Sequence, residues 1–189
     1  MHDTARTANL LGAVALAVTD LAVGGAARAA GVSSSGAAAL VTLAASPGLS
    51  VTELGRRVGL SQPAAARMVD SLEADGLAER RRSAISRGWV TVHPTGPGTQ
   101  AARRILAARG GPLADLVDVL APEDQQALAR LLSALLDRAY ERIGRSQYIC
   151  RICDRASCQT EATCPVGDAE RRSQGEGEPP PAPGGPASR

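Results

Sequence analysis

Leu10, Val14, Ala17 and Leu21 recur at helical spacing near the start of the chain, with Leu11, Ala15 and Val18 beside them. The segment from Thr4 to about Gly24 therefore reads as a helix, apolar on most sides and closed by Gly24–Gly25. So wide an apolar surface wants more than one neighbour, which marks a packing or dimer helix. A loop, Ser33–Ser34–Ser35–Gly36, leads to a short helix from Ala37 to Ala45, stopped by Ser46–Pro47–Gly48. Ser50 is a natural N-cap with Glu53 in capping-box position, and Leu54 and Val58 form the buried side of a helix ending at Gly59. Ser61 offers a second cap before Gln62–Pro63, and Ala65, Met68, Val69 and Leu72 carry an apolar face to Asp75–Gly76. Two short helices joined by a tight turn containing Gly are the pattern of a helix-turn-helix. Leu77 to Arg81 and Trp89 to His93 follow as two short strands, a β-hairpin or wing.

The break Pro94–Thr95–Gly96–Pro97–Gly98 precedes a long helix starting near Thr99, with Ile105, Leu106, Leu113, Leu116, Val117 and Leu120 in helical register. Gly110–Gly111–Pro112 should kink or split it. Pro122 opens another helix, with Leu128, Leu131, Leu132, Leu135, Leu136 and Ile143 on its apolar face. Residues 175–189 hold five Pro and four Gly, a composition that predicts disorder. The predicted class is α+β, mostly α: a winged helix-turn-helix with N- and C-terminal dimerisation helices. The predicted regions are 1–36, an N-terminal dimerisation helix and loop; 37–98, the winged helix-turn-helix; 99–144, C-terminal dimerisation helices; 145–170, a cysteine cluster; and 171–189, a disordered tail.

Composition narrows this. The 189 residues are 44% hydrophobic with a net charge of +2, from 21 basic against 19 acidic residues, which excludes a wholly disordered or strongly basic chain. Nucleic-acid binding must then come from placed charge. Lys is absent, so the basic side chains other than His are all Arg, whose planar fork suits phosphate and guanine. Phe is absent and aromatics are 2%, so the core is built from Leu, Val, Ile and Ala. The N-terminus loosely resembles a signal peptide, but Asp3 and Asp20 flank the apolar run and the helical spacing favours a packing helix. No run is expected to reach the roughly 18–20 apolar residues of a membrane span, and the expected location is cytoplasmic. No Ser/His/Asp order, P-loop or dinucleotide-binding glycine pattern is present, so no enzyme is expected.

A helix in the major groove presents its N-terminal and outward residues, here Ser61, Gln62, Ala64, Ala65 and Arg67, and Ser50, the cap of the helix before it, is a further expected DNA contact. Gln62 suits adenine, Arg67 guanine or phosphate, and the alanines permit close approach and contact with a thymine methyl. The alternative is an ordinary two-helix core element with a solvated polar face. The succession of cap, Gly turn, second cap and basic hairpin favours DNA. Arg80, Arg81, Arg82 and Arg87 concentrate charge on the hairpin, although charged strand edges also serve simply to block strand pairing. From Ser50 to Gly96 there are seven Arg against five acids, a modest bias.

With these residues in view, the chain from roughly Asp3 to Gly144 resembles the MarR family of dimeric winged helix-turn-helix transcription regulators. The resemblance is most specific over Leu49–Ser50–Val51–Thr52–Glu53–Leu54, Leu60–Ser61–Gln62–Pro63 and Arg67 to Leu77, and Val92–His93–Pro94–Thr95–Gly96 is similar to the family's Leu-Thr-Pro-x-Gly. It implies a homodimer paired through its terminal helices, double-stranded palindromic DNA as partner, usually repression, and release by a small-molecule or redox effector. The family's wing-tip Asp-x-Arg is replaced at the matching positions by Ala84 and Ser86, leaving Arg87 one place away for the minor groove. Two helix-turn-helix units about 34 Å apart read a palindrome, and the terminal helices supply apolar surface for pairing. The alternative is a monomeric bundle.

The four cysteines fall together as Cys150-x2-Cys153-x4-Cys158-x5-Cys164, a cluster that points to a metal rather than to a disulfide framework. The first pair has knuckle spacing, and four sulfurs satisfy tetrahedral zinc or, alternatively, an iron–sulfur cluster; Pro165 after the last Cys occurs in ferredoxin runs, whose spacing differs. Arg145, Arg151 and Arg155 would partly neutralise the site. A reversible disulfide switch stays open, as do four unrelated thiols. Some MarR-type relatives carry a similar C-terminal motif. His93 reads as a strand-end residue and His2 as part of a frayed terminus. Two other function classes remain: a small iron–sulfur redox protein and a zinc-stabilised protein-interaction adaptor.

Overall fold

The computed structural model describes residues 3–82, 89–160 and 162–175. Helix α1 (Thr4–Thr19) is capped by Asp3, whose carboxylate accepts the Arg6 N–H at 3.2 Å. A π-turn (Asp20–Gly24) and α2 (Gly25–Ala30) continue it without a break. The expected stop at Gly24–Gly25 is absent, because both glycines keep right-handed helical angles; the chain first turns left-handed at Gly31, with φ 67°. The segment Thr4–Ala30 is 27 residues long and, by length and composition, apolar enough to cross a membrane. Thr19, Asp20 and glycines break it into shorter apolar runs, as expected, but its mean hydropathy over 18 residues is that of a spanning helix.

Helix α3 (Ser34–Ala45) is the centre of the core, buried without interruption from Gly36 to Leu43. It starts three residues before the expected Ala37 because Ser33 caps it, accepting the Gly36 N–H at 3.1 Å. Helix α4 (Val51–Val58) starts at the Ser50 cap, which accepts the Glu53 N–H at 3.1 Å, and ends at Gly59 with φ 80°. Helix α5 (Gln62–Ala74) follows. Ser61 stands at the cap position in extended backbone but makes no capping bond, since Pro63 removes one of the two N–H groups a cap would bind. Beyond α5, Gly76 at φ 68° lets the Leu77 N–H return to the Leu72 carbonyl at 2.8 Å.

Strands β1 (Ala78–Arg82) and β2 (Val90–Pro94) pair antiparallel, Arg80 opposite Val92, one residue beyond the predicted bounds. Leu49 adds a bridge to Val92, tying the wing to the α3–α4 connection. Helix α6 (Gly96–Val117) starts three residues before Thr99 because Thr95 caps it, and it runs unsplit with Pro112 inside. Helix α7 (Pro122–Ile143) ends at Gly144. Region 145–170 folds into α8 (Ser146–Ile149), α9 (Arg155–Gln159) and α10 (Pro165–Ser173), and α10 carries order past the predicted tail boundary at 171. Residues 176–189, the rest of that tail, lie outside the described residues.

The largest fully buried side chains, among them Leu40, Leu43, Leu54, Leu72 and Ile105, are all aliphatic. A second small cluster joins Tyr140 of α7 to Val166 and Ala169 of α10. Thr95 stitches hairpin and helix together: its hydroxyl donates to the Gly76 carbonyl at 2.7 Å and accepts the Gly98 N–H at 3.0 Å. Gly98 is pinned there, because a Cβ would collide with the Leu77 carbonyl group, whose carbon would lie at 2.9 Å. Gly98→Ala is therefore expected to destabilise the fold by about 1–3 kcal/mol, read as a lower urea midpoint. Gly96→Ala, with nothing within 4 Å, is the control and should move the midpoint little.

Candidate nucleic-acid interface and cysteine site

Helices α4 and α5 cross in near contact: a Cβ on Gly55 would stand 2.6 Å from the Ala65 Cβ. Ala65 is fully buried in that crossing. Its expected place among the base-reading residues is thus corrected, since a methyl sealed between two helices cannot touch a thymine. Ser61, Gln62 and Arg67 are exposed on α5, and Ala64 is half-buried at the edge of the crossing. Ser50 is half-buried, and its hydroxyl serves as the α4 cap.

The wing arginines divide. Arg80 is clamped onto the outer side of α5, with its guanidinium on Asp70 at 2.8 Å and on Glu73, and its N–H donating to Glu73 Oε1 at 2.7 Å. Arg80, named among the expected DNA contacts, thus also fastens the wing to α5. Arg81 pairs with Glu79 on an exposed strand, and Arg82 is exposed at the strand end. Arg87 and the wing-tip positions Ala84 and Ser86 lie outside the described residues. Sequence reasoning missed Asp70 and Glu73 as the wing's anchor, although their i, i+3 spacing on the polar side of α5 was a usable signal.

On α4, Glu53 binds Arg56 through Nε at 2.8 Å and Arg57 through Nε at 2.7 Å. The hydrogen bond from Arg56, with a weaker one from Arg57 and against some desolvation, holds the Glu53 carboxyl at about 2 instead of the ordinary 4.5. A carboxylate depressed in the folded state stabilises the fold above its unfolded pKa and loses that contribution as pH falls through the folded one. Glu53→Gln should therefore be less stable than the native chain at pH 7 by about 1 kcal/mol or less, the pair being partly exposed. The difference should close between pH 4.5 and about 2, measured as urea midpoints across pH.

All four cysteines are half-buried and line one cavity. Cys150 and Cys153 share a tight turn in which the Cys153 N–H donates to the Cys150 carbonyl at 3.0 Å. The thiols lie close enough to act on one another, Cys150 with the other three and Cys158 with Cys153 and Cys164. The Gly167 N–H at the start of α10 donates to Cys164 Sγ at 3.4 Å. The Cys150 bond pulls the Cys153 thiol down to about 6, opposed by burial and helped by Cys158, Arg109 and Arg155. Its Cys153 partner and burial push Cys150 up, while burial and the neighbouring Cys153 push Cys158 up to about 11. Neighbouring thiols thus resist ionising together. Among the described residues no group of three or more His, Cys, Asp or Glu is disposed to hold a metal ion. As a donor set, four soft sulfurs in a shared cavity fit zinc or an iron–sulfur cluster.

This module is braced on several sides. Ser146 donates to Glu170 at 2.7 Å, and the Tyr140 hydroxyl of α7 bonds Ser173 of α10 at 3.0 Å. A second cavity beside the cysteines is lined by Ala22 of the π-turn, Leu113 of α6 and Leu136 of α7, so the thiols sit where the terminal helices meet. The predicted neighbour Arg155 reaches Gln147 at 2.5 Å, whereas Arg145 and Arg151 lie over the Tyr148 ring; Arg109, from α6, was missed because only folding brings it near Cys153. His93 bonds Thr91 at 3.0 Å, in keeping with a strand-end role.

Residues 31–84 match the MarR family, a span running from the end of α2 to the wing. No curated protein matches the chain. Among solved structures it is similar to the MarR family protein Rv2887 of Mycobacterium tuberculosis, at 25% identity and TM-score 0.57 over 71% of this chain and 96% of that one. It is also similar to a MarR family protein from Bacillus stearothermophilus, at 21% identity and TM-score 0.64 over 71% and 94%. A third likeness is to a mutant of S. aureus MepR bound to an oligodeoxyribonucleotide, at 16% identity and TM-score 0.55 over 70% and 97%. Residues 31–84 thus match the family model, the chain shares the winged helix-turn-helix fold of those structures, and members of the MarR family are transcription regulators rather than enzymes.

Proposed function

We propose that the protein is a homodimeric transcriptional repressor of the MarR type that binds a palindromic operator through α5 and the wing. The observation that carries this is the exposed row Ser61, Gln62 and Arg67 on a helix whose opposite side is locked to α4 through Ala65. Base edges are read by such a row, and phosphates by Arg82 and by Arg87 of the wing. The DNA in the MepR structure supports the reading by likeness of fold. A second copy of the chain is the natural cover for the exposed apolar side chains of α1 and α7, among them Leu10, Leu11, Leu131 and Leu135. This gives Thr4–Ala30 a role as a dimer helix in a cytoplasmic protein. A duplex selected by the native protein from a random-sequence pool should lose roughly tenfold or more in affinity on joint Gln62→Ala and Arg67→Ala replacement at moderate salt, at 1–3 kcal/mol per good base contact. Unchanged binding by the folded double variant overturns the proposal.

The cysteine cluster is read as a four-thiolate metal site, zinc in first place and an iron–sulfur cluster in second, that senses metal supply or redox state. A bound ion or cluster would draw the four sulfurs to a common centre and take the place of their protons. The chain's own part is to convey that change: α10 is tied to α7 through Tyr140 and Ser173, so loosening the module would alter the dimer helices and the separation of the two α5 helices. Protein purified anaerobically should carry metal that Cys158→Ser abolishes, and the selected duplex should bind metal-loaded and stripped protein with different affinities. Equal affinities reject sensing and leave the metal a structural role. Failure to retain any duplex, with reversible visible absorbance, would instead indicate an iron–sulfur electron carrier; a colourless chain indifferent to DNA would indicate an interaction adaptor.

A further inference from the structure

Gly59 closes α4 and opens the turn into α5. Its φ of 80° already disfavours a side chain, but a second constraint bears on the same spot. A Cβ there would drive into the ring of Tyr148, with Cδ2 at 2.9 Å and Cζ at 3.3 Å. Tyr148 belongs to α8, two residues ahead of Cys150. Its ring is held by two guanidinium groups, Arg151 at 4.3 Å and Arg145 at 4.7 Å from the centroid. Arg151 also donates from Nη1 to the Tyr148 carbonyl at 2.8 Å, and it lies inside the turn between Cys150 and Cys153. The thiol turn and the ring are therefore one local unit.

On the other side of the contact, the Leu60 N–H donates to the Gly55 carbonyl at 2.8 Å, and Gly55 is the residue against which Ala65 of α5 is packed. The ring thus rests on the turn that fixes where α5 starts. Behind it, α8 is held through Ser146 on Glu170, whose charge also acts on Arg56 of α4.

We infer that Tyr148 is a positioning residue for DNA reading: seated on Gly59, it transmits the state of the cysteine module to the α4–α5 turn and so sets the pose of α5. This rests on the DNA-binding reading above and adds to it a route that bypasses the dimer helices.

The test uses the full chain, purified anaerobically, with Gly59→Ala, Tyr148→Ala, their combination, Tyr148→Leu and Tyr148→Phe. In Tyr148→Ala, amide exchange at Leu60 should speed up about tenfold, reporting local opening of the turn. Affinity for the selected duplex should fall about fivefold with its salt dependence unchanged, because no phosphate contact is lost. Tyr148→Phe should restore both. The penalty of Gly59→Ala on urea stability should be distinctly smaller when Tyr148 is already Ala, the non-additivity expected of touching residues. Should Tyr148→Ala fail to fold, Tyr148→Leu supplies the exchange and affinity readings. An additive cycle with native Leu60 exchange and native affinity overturns this inference while leaving DNA binding intact. A native chain that selects no duplex overturns the DNA-binding reading and this inference together, even if the stability cycle shows coupling.

Discussion

The near contact of Gly55 with Ala65 is the constraint on which the exposed side of α5 depends. Two helices can approach so closely only where neither carries bulk at the crossing, and here one side supplies a hydrogen and the other a methyl. With α5 fixed by its inner side, Gln62 and Arg67 are left outward. The aliphatic core continues the same logic: Val69 and Leu72 of α5 are buried in one cluster with Leu54 of α4, so rotating α5 would expose the first two. Orientation of the polar row is thereby a consequence of packing, and no polar bond has to impose it.

Charge then has less freedom than the residue count implies. Arg80 is held by Asp70 and Glu73, Arg81 by Glu79, and Arg56 and Arg57 by Glu53. Such partly exposed pairs each contribute little to stability, but they position long side chains and cancel charge that would otherwise attract phosphate. Arg80 shows the trade most directly. Its guanidinium and backbone N–H lock the wing to the outer side of α5, so that hairpin and helix present themselves as one body.

What was legible in the chain was local. Ser50 as a cap, Gly59 and Asp75–Gly76 as stops, and the two strands all follow from side chains acting on their own backbone, and the structure has them within a residue or so. The readings that failed needed neighbours. Ala65 shares the helical face of Met68, Val69 and Leu72, and only its place near the start of α5 suggested base contact, while Arg80 looks unpaired until Asp70 and Glu73 arrive from α5. Gly24–Gly25 and Pro112 look like breaks because their propensities are poor, yet both lie within continuous helix, where tertiary contacts outweigh about 1 kcal/mol per Gly and about 3 per Pro. The cysteine grouping was evident from spacing, whereas its berth between Ala22, Leu113 and Leu136 was not, since these residues come from three distant parts of the chain.

That berth bears on how a small site could govern a large assembly. Helices α1 and α7 leave Leu16, Leu131 and Leu135 exposed, so in the proposed dimer their pairing is apolar, strong and indifferent to modest shifts along the contact. An interface of that kind holds two copies together but does not by itself fix the angle between them. The cysteine module touches both parts, by the hydrogen bond between Tyr140 of α7 and Ser173, and by packing of the Tyr148 ring on the turn before α5. Neighbouring thiols resist ionising together, and a cation among them would favour their ionised form. A switch built this way needs no rearrangement of the core: it has only to stiffen one corner at which the interface and the reading helix already meet.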